Sequence, residues 1–213
     1  MSTPSLSLAP TYQASAPVPV WERAFALGLA IASLPLLVVL MLCVRVLSGR
    51  SPLVAHLRVG YRGEPLWMLK LRTMWGASNT ESMGLVERLP NTRVPAAKAA
   101  DVRVTSRFAA WCRRLSLDEL PQLWHIVRGE MCFVGPRPIT SAELESYYGV
   151  DAEEVLLTVP GLTGLWQTMG RNRLTYAQRR RLDLFFVRRK SPSLCAWVLL
   201  RTPSRVLFGD DAW

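Results

Sequence analysis

The chain has 213 residues, half of them hydrophobic, and a formal net charge of +10. That length accommodates one domain with a substantial core, and a basic, apolar chain points to anionic partners such as a membrane surface, phosphorylated ligands or nucleic acid. Four scattered cysteines (Cys43, Cys112, Cys132, Cys195), no C-x-x-C pair and only two histidines (His56, His125) argue against a zinc site and for free thiols in a reducing compartment.

Residues 1–20 are rich in Ser, Pro, Ala and Thr and carry no charged side chain. They read as a disordered tail without the basic start of a signal peptide. Ala24 to Val44 is 21 residues without a charge, flanked by Arg23 and Arg45. As a helix it would be about 31 Å long, enough for a bilayer core. Pro35 at its middle removes a backbone hydrogen bond and can bend it, so a span and a re-entrant helix are both open. The basic segment that follows assigns the rest of the chain to the cytoplasmic side.

Arg45 to Trp75 has six basic residues and one acid, Glu64. Arg58-Val59-Gly60-Tyr61-Arg62-Gly63 reads as a turn between two strands, with Leu66 to Leu69 in the second. Lys70 and Arg72 share a face if that strand continues. Residues 76–100 are polar and read as one long loop.

Arg113-Arg114-Leu115-Ser116-Leu117-Asp118-Glu119-Leu120-Pro121-Gln122-Leu123-Trp124 is the densest stretch. Pro121 predicts a helix beginning near Asp118, with Leu120, Leu123, Trp124 and Val127 as its buried face. Asp118 and Glu119 would then sit at the helix mouth, which favours ionised carboxylates. Ser116 and Glu119 also have the spacing of a capping box, the ordinary explanation of such residues. Capping, however, needs no cluster of Arg113, Arg114, Arg128 and Arg137, the last fixed in the stiff turn Gly135-Pro136-Arg137-Pro138. An ionised carboxylate or a bound phosphate would use that cluster. His125 falls near the same helix face as Asp118 and reads as a structural hydrogen bonder.

Ser141 to Tyr148 reads as a short amphipathic helix with Glu143 and Glu145 on its surface. In Pro160-Gly161-Leu162-Thr163-Gly164-Leu165-Trp166-Gln167, the glycines permit close approach of a ligand, with Gln167 and Arg171 reading sugar or phosphate. A structural loop held by Trp166 is the equal alternative. Arg171 to Lys190 holds eight basic residues and one acid, Asp183, and its Arg179-Arg180-Arg181 run reads as a solvated or lipid-facing surface. Leu194, Trp197, Val198 and Leu200 suggest an interfacial helix edged by Arg201 and Arg205.

Ser116 to Trp124, followed by Gly129-Glu130-Met131 and Val134 to Pro138, resembles the signature of the bacterial sugar transferases, the small monotopic phosphoglycosyl transferases. Arg58-Val59-Gly60, Lys70-Leu71-Arg72-Thr73-Met74, Asp101-Val102-Arg103-Val104-Thr105 and the Pro160 to Gln167 segment with Gly170-Arg171 extend the likeness from about Leu36 to the C-terminus. Departures are local. Ser33-Leu34-Pro35 stands where the family has adjacent Ser-Pro, and His125 where it usually has asparagine. One extra residue precedes Asp118, and Cys195 stands near where an aspartate is common.

The resemblance implies an α+β, mainly helical fold. A re-entrant membrane helix at 21–47 and interfacial helices would surround a compact catalytic domain at 48–213 that contains a small β-hairpin. It implies transfer of a sugar-1-phosphate from a nucleotide-sugar, a UDP-sugar, to a polyprenyl phosphate at the cytoplasmic face of the bacterial inner membrane. Asp118 would be the nucleophile and a ligand of Mg²⁺, with Glu119 beside it in an open role. Arg58, Lys70, Arg72, Arg113, Arg137, Gln167 and Arg171 would hold the substrates, and Asp183 would pair with an arginine. Anionic lipids are further expected partners, no nucleic-acid motif is visible, and a homo-oligomer is left open. A non-catalytic, membrane-tethered basic scaffold is the competing reading, but it has no use for an Arg-Asp-Glu-Arg constellation.

Overall fold

The structure, a computed structural model, describes residues 17–75, 84–89, 106–170 and 173–208. Residues 1–16 of the tail, most of the polar loop, the Asp101 to Thr105 segment and Arg171 lie outside the described residues; the end of the expected tail is ordered, with Val18 buried in the core and Val20 opening the first helix.

Helix α1 (Val20–Ser48) is helical throughout, Pro35 included, and ends at Gly49 with φ 69°. Ser33 Oγ donates to the Ala30 carbonyl at 3.2 Å in the turn before the proline. The helix is long and apolar enough to cross a membrane. One stripe of it packs on the body of the protein. Ala26 and Ala30 meet Leu66, Met68, Leu123 and Ile126, while Leu37, Leu40, Met41 and Val44 meet Leu53, Leu71 and Cys112. Ile31, Leu34, Val38, Val39 and Leu42 on the other side are exposed. Polar bonds fasten the start of the helix. The Phe133 N–H donates to Glu22 Oε1 at 2.6 Å and Arg23 Nε donates to the Val127 carbonyl at 2.8 Å. Just past its end, the Ser51 carbonyl accepts from Arg72 Nε at 2.7 Å. Both ends of α1 therefore touch the same body.

The expected hairpin forms. Strands β1 (Leu53–Val59) and β2 (Pro65–Leu71) pair antiparallel, Leu53 opposite Leu71 and Val59 opposite Pro65. Arg62 (φ 55°) and Gly63 (φ 83°) make the turn. A third strand, β3 (Val86–Leu89), runs parallel to β1 on its free edge, within the stretch expected to be loop. Arg72 ties it on, bonding Glu87 as well as Ser51.

Helix α2 (Arg107–Arg114), a 3₁₀ turn (Leu117–Gln122) and α3 (Leu123–Arg128) follow. Strand β4 (Cys132–Val134) pairs parallel with β5 (Gly161–Thr163). Between them lie the Pro-Arg-Pro turn, α4 (Ser141–Glu143) with its π-helical continuation to Tyr148, and α5 (Ala152–Leu156). Helices α6 (Leu165–Met169), α7 (Tyr176–Arg189) and α8 (Pro192–Phe208) close the chain. Thr175 and Gln178 form a capping box on α7, and Pro192 opens α8 where its missing N–H costs nothing. Val134, Leu165, Phe186 and Val198 pack these helices onto β4. The four cysteines are free thiols.

The two glycine-bearing motifs pack on each other. The Gly135 N–H donates to the Thr163 carbonyl at 3.0 Å, and the Gly161 N–H to the Pro136 carbonyl at 2.8 Å. A Cβ on Gly161 would lie 2.0 Å from the Gly135 nitrogen, and one on Gly164 2.6 Å from the Gly135 oxygen. Close backbone packing thus requires glycine at 135, 161 and 164. Gly161→Ala should therefore destabilise the protein by about 3 kcal/mol, since backbone cannot yield as a side chain can. Gly28→Ala, with open space at its Cβ position, should be neutral or stabilising. Thermal unfolding of the two detergent-solubilised variants checks the contrast; equal melting temperatures would refute it.

Candidate active site

The α-helix does not begin at Asp118. Pro121 has no N–H for the Leu117 carbonyl, and its ring crowds that carbonyl, so the chain winds as a 3₁₀ turn and becomes α-helical only at Leu123. Three residues per turn place Asp118 and Pro121 on one inward face, and both are buried. The capping box is not made. Ser116 takes a left-handed conformation (φ 55°), and its side chain caps nothing. The Glu119 N–H bonds the Ser116 carbonyl at 3.1 Å. Trp124, expected inside, is half exposed, and Ile126 is buried instead.

Freed from capping, Glu119 turns to cations. Lys70 Nζ lies 2.7 Å from Glu119 Oε1 and 3.8 Å from Asp118 Oδ2. Arg137 approaches Glu119 Oε1 with both terminal nitrogens, at 3.4 and 3.5 Å. Lys70 is held through its neighbour, because the Leu69 N–H donates to His125 Nε2 at 3.1 Å. His125 Nδ1 faces Glu130 Oε2 at 2.6 Å, and Arg128 holds Glu130 at 2.8 Å. An accepting Nε2 puts the proton on Nδ1. His125 is thus the structural hydrogen bonder expected, and it anchors β2 beside Lys70.

The two adjacent carboxylates experience opposite fields. Burial raises the Asp118 pKa above the usual carboxylate range, and Glu119 adds to the rise; Lys70, then Arg113 and Arg137, oppose it without overcoming it. Burial also opposes ionisation of Glu119, but Lys70 and Arg137 outweigh it and hold that carboxyl well below the usual range. The sequence led us to expect a helix mouth that favours both carboxylates as ions. The structure gives most of the charge support to Glu119.

A second cationic group lies on the Arg137 side. Arg58 pairs with Glu143 at 3.3 Å, and burial, followed by repulsion from Arg137, lowers its pKa to about 10. Glu143 is thus no surface residue: it also accepts from the Thr140 N–H at 2.9 Å. Arg179 lies over Trp166 and Tyr176, 4.6 and 5.1 Å from their ring centroids. Burial and then, among the like charges, Arg137 lower its pKa. Sequence reading assigned Arg179 to a solvated run. The missed signal was helical spacing, since Arg179, Asp183 and Phe186 fall on one stripe of α7 and the last two are buried.

Among the described residues, Asp183 forms no ion pair with an arginine. It accepts from the Tyr148 hydroxyl at 2.7 Å, and Oδ1 has no hydrogen-bond partner among the described residues. Arg72 is committed to Ser51 and Glu87 rather than the dyad. Gln167 Nε2 makes a long 3.5 Å bond to the Leu162 carbonyl, and its Oε1 is buried without a partner among the described residues. Among the described residues, no group of three His, Cys, Asp or Glu side chains could hold a metal ion. The structure thus gathers Asp118, Glu119, Lys70 and Arg137, with Arg58, Arg113 and Arg179 around them.

Burial pushes the Asp183 pKa up to about 7, against the Tyr148 hydrogen bond and the fields of Arg179 and Arg137. A folded-state value above the ordinary one gives stability that is full below about pH 4 and lost as pH rises towards 7. Wild-type stability relative to Asp183→Asn should fall across that window by on the order of a few kcal/mol and level off above it. Thermal melts of both proteins from pH 4 to 8 check this, and a constant difference would refute it.

The family described as bacterial sugar transferase matches this chain over residues 18–209. The chain is 39% identical over 197 residues to the UDP-galactose-lipid carrier transferase of Erwinia amylovora, covering 88% of this chain and 40% of that protein. It is 40% identical over 174 residues to the exopolysaccharide production protein ExoY of Sinorhizobium fredii, covering 78% of this chain and 76% of ExoY. It is 36% identical over 169 residues to the undecaprenyl-phosphate galactose phosphotransferase of Salmonella typhimurium, covering 78% of this chain and 35% of that protein. The carboxylate dyad, the proline-locked arginine and the interlocked glycines all fall inside the matched span, and the chain belongs to the bacterial sugar transferase family.

Proposed function

We propose that the protein moves a sugar-1-phosphate from a UDP-sugar to a polyprenyl phosphate in two steps, through a phosphosugar carried on Asp118. The names of the Erwinia and Salmonella relatives support the substrate classes. The observation that carries the mechanism is the divided dyad: a buried carboxylate of raised proton affinity beside one that two cations keep ionised. A desolvated, more basic carboxylate is the better nucleophile once it loses its proton. Asp118 oxygen attacks the phosphorus next to the sugar, the bond to the nucleotide's phosphate breaks, and nucleotide monophosphate leaves. The acceptor's phosphate oxygen then attacks the same phosphorus and returns the carboxylate. Lys70 and Arg137 neutralise the phosphate oxygens during both steps. As they turn to the donor, Glu119 loses the cations that keep it acidic, which suits it to receive a proton.

A Mg²⁺ ion fits this site only in shared form. Mg²⁺ is commonly held by one or two carboxylates together with substrate phosphates. Asp118 offers that carboxylate, and the described residues offer no three-ligand cage of their own. Bound by Asp118 and the donor's diphosphate, the ion would neutralise charge on the leaving group.

Asp118→Asn should abolish both nucleotide release and lipid transfer, whereas Glu119→Gln should slow turnover by about 10²-fold. A donor labelled in its sugar, supplied without acceptor, should leave label on the Asp118 peptide that polyprenyl phosphate chases off. An unlabelled protein that releases nucleotide only in a ternary complex would overturn the covalent step.

We further infer that α1 enters and leaves the bilayer on the cytoplasmic face. The support is that both of its ends touch one body. In a cysteine-free background, Val20→Cys and Val46→Cys, both strongly exposed positions, should each resist an impermeant maleimide in intact cells and react after permeabilisation. Labelling of one end alone from outside would establish a span.

A further inference from the structure

A large apolar groove of about 1370 Å³ runs between the first half of α1 and helix α8. Phe25 and Leu29 form one wall, Ala196 and Leu199 the other, and Leu123 and Phe133 the floor. Its inner end is polar, with Ser116, Gln167 and Glu119 reaching it. Glu119 is the member of the dyad that lines the groove; Asp118, Lys70, Arg58 and Arg179 do not. The dyad therefore stands on a boundary, with the cationic cluster of Arg58, Arg137 and Arg179 on one side and an apolar channel on the other.

Three features say what fills the channel. One wall belongs to the membrane-length helix, whose outward residues are exposed and apolar, so the groove lies at the depth of lipid tails. It exceeds the roughly 300–1,000 Å³ of ordinary small-molecule pockets, as an extended chain requires. It ends on a carboxylate clamped by Lys70 and Arg137, cations that an acceptor phosphate would meet on arrival.

Resting on the reading of the protein as a sugar-1-phosphate transferase, we propose that this groove is the acceptor's binding site. The isoprenoid tail lies between α1 and α8, and its phosphate enters the dyad from the Glu119 side. The nucleotide-sugar approaches from the Arg58–Arg137–Arg179 side. Donor and acceptor thus use the site in succession: in-line attack on the phosphosugar comes opposite Asp118, so the acceptor's phosphate takes the position that the departing nucleotide monophosphate has vacated, while its tail stays in the groove.

The test fills the groove. Ala196→Trp and Leu29→Trp place bulk between the walls without touching the dyad. Each should raise KM for a long-chain polyprenyl phosphate about tenfold, while nucleotide release in a single turnover without acceptor, and transfer to the short geranyl phosphate, stay near wild type. Unchanged long-chain kinetics in both variants would overturn the proposal. A photo-crosslinking long-chain polyprenyl phosphate, used with wild-type protein and no donor, gives an answer independent of catalysis. It should label peptides containing Phe25, Leu29 or Leu199, and excess phosphatidylglycerol should not compete. Labelling confined to the outer stripe around Leu34 and Val38, or full competition by the phospholipid, would show a surface for bulk lipid and overturn it. Failure of the wild-type protein to release nucleotide from any nucleotide-sugar would instead count against the transferase reading, and the crosslink distinguishes the two failures.

Discussion

A contact with no room for a side chain underlies the rest of the site. Gly135 and Gly161 meet backbone to backbone, and two hydrogen bonds lock the Pro-Arg-Pro turn onto the start of β5. That docking fixes where Arg137 leaves the main chain. With φ of its neighbours set by proline rings, the arginine loses little freedom in reaching Glu119. Lys70 arrives from the opposite side on β2, held through Leu69 and His125. Two separate substructures thus converge on one carboxylate, and the site exists only when both are in register.

This convergence places the two carboxylates of the dyad in opposite fields. Two carboxylates adjacent in sequence would ordinarily titrate alike, and their mutual repulsion only staggers them. Here the 3₁₀ turn sends Asp118 inward and Glu119 towards the cations. The environments push the two proton affinities apart, the condition under which neighbouring acids can take different roles. Pro121 is the origin of this arrangement. An ordinary α-turn with Ser116 as its cap would have directed Glu119 back to its own backbone.

Much of the fold was legible in the sequence because it rests on local rules. The 21-residue uncharged stretch, the turn around Gly60 to Gly63 and the apolar spacing of α8 all appear as expected. The dyad and Arg137 were legible because their motif is long and ordered. What escaped depends on distant partners. β3 is four residues whose strand character comes from an edge that β1 offers and from Arg72 reaching Glu87. Glu143 and Arg179 looked like surface charges because nothing local announces Arg58 beside one or the Trp166 and Tyr176 rings beside the other. The exposed Trp124 is a local phase error: the 3₁₀ turn winds the chain differently from an α-turn, so Ile126 takes the inward place while Leu120, Leu123 and Val127 still pack on the core as expected.

Helix α1 has a mechanical consequence. Glu22 and Arg23 bolt its beginning to Phe133 and Val127, and Leu40 and Val44 wedge its far part against Leu53 and Cys112. A rod fixed at two points cannot tilt independently of what it is fixed to. On the proposed topology, a thicker or thinner leaflet would be accommodated by rocking the entire protein rather than by bending the helix away from it. The height of Asp118 above the hydrocarbon would then follow leaflet thickness, which makes α1 a gauge of the bilayer as well as an anchor in it.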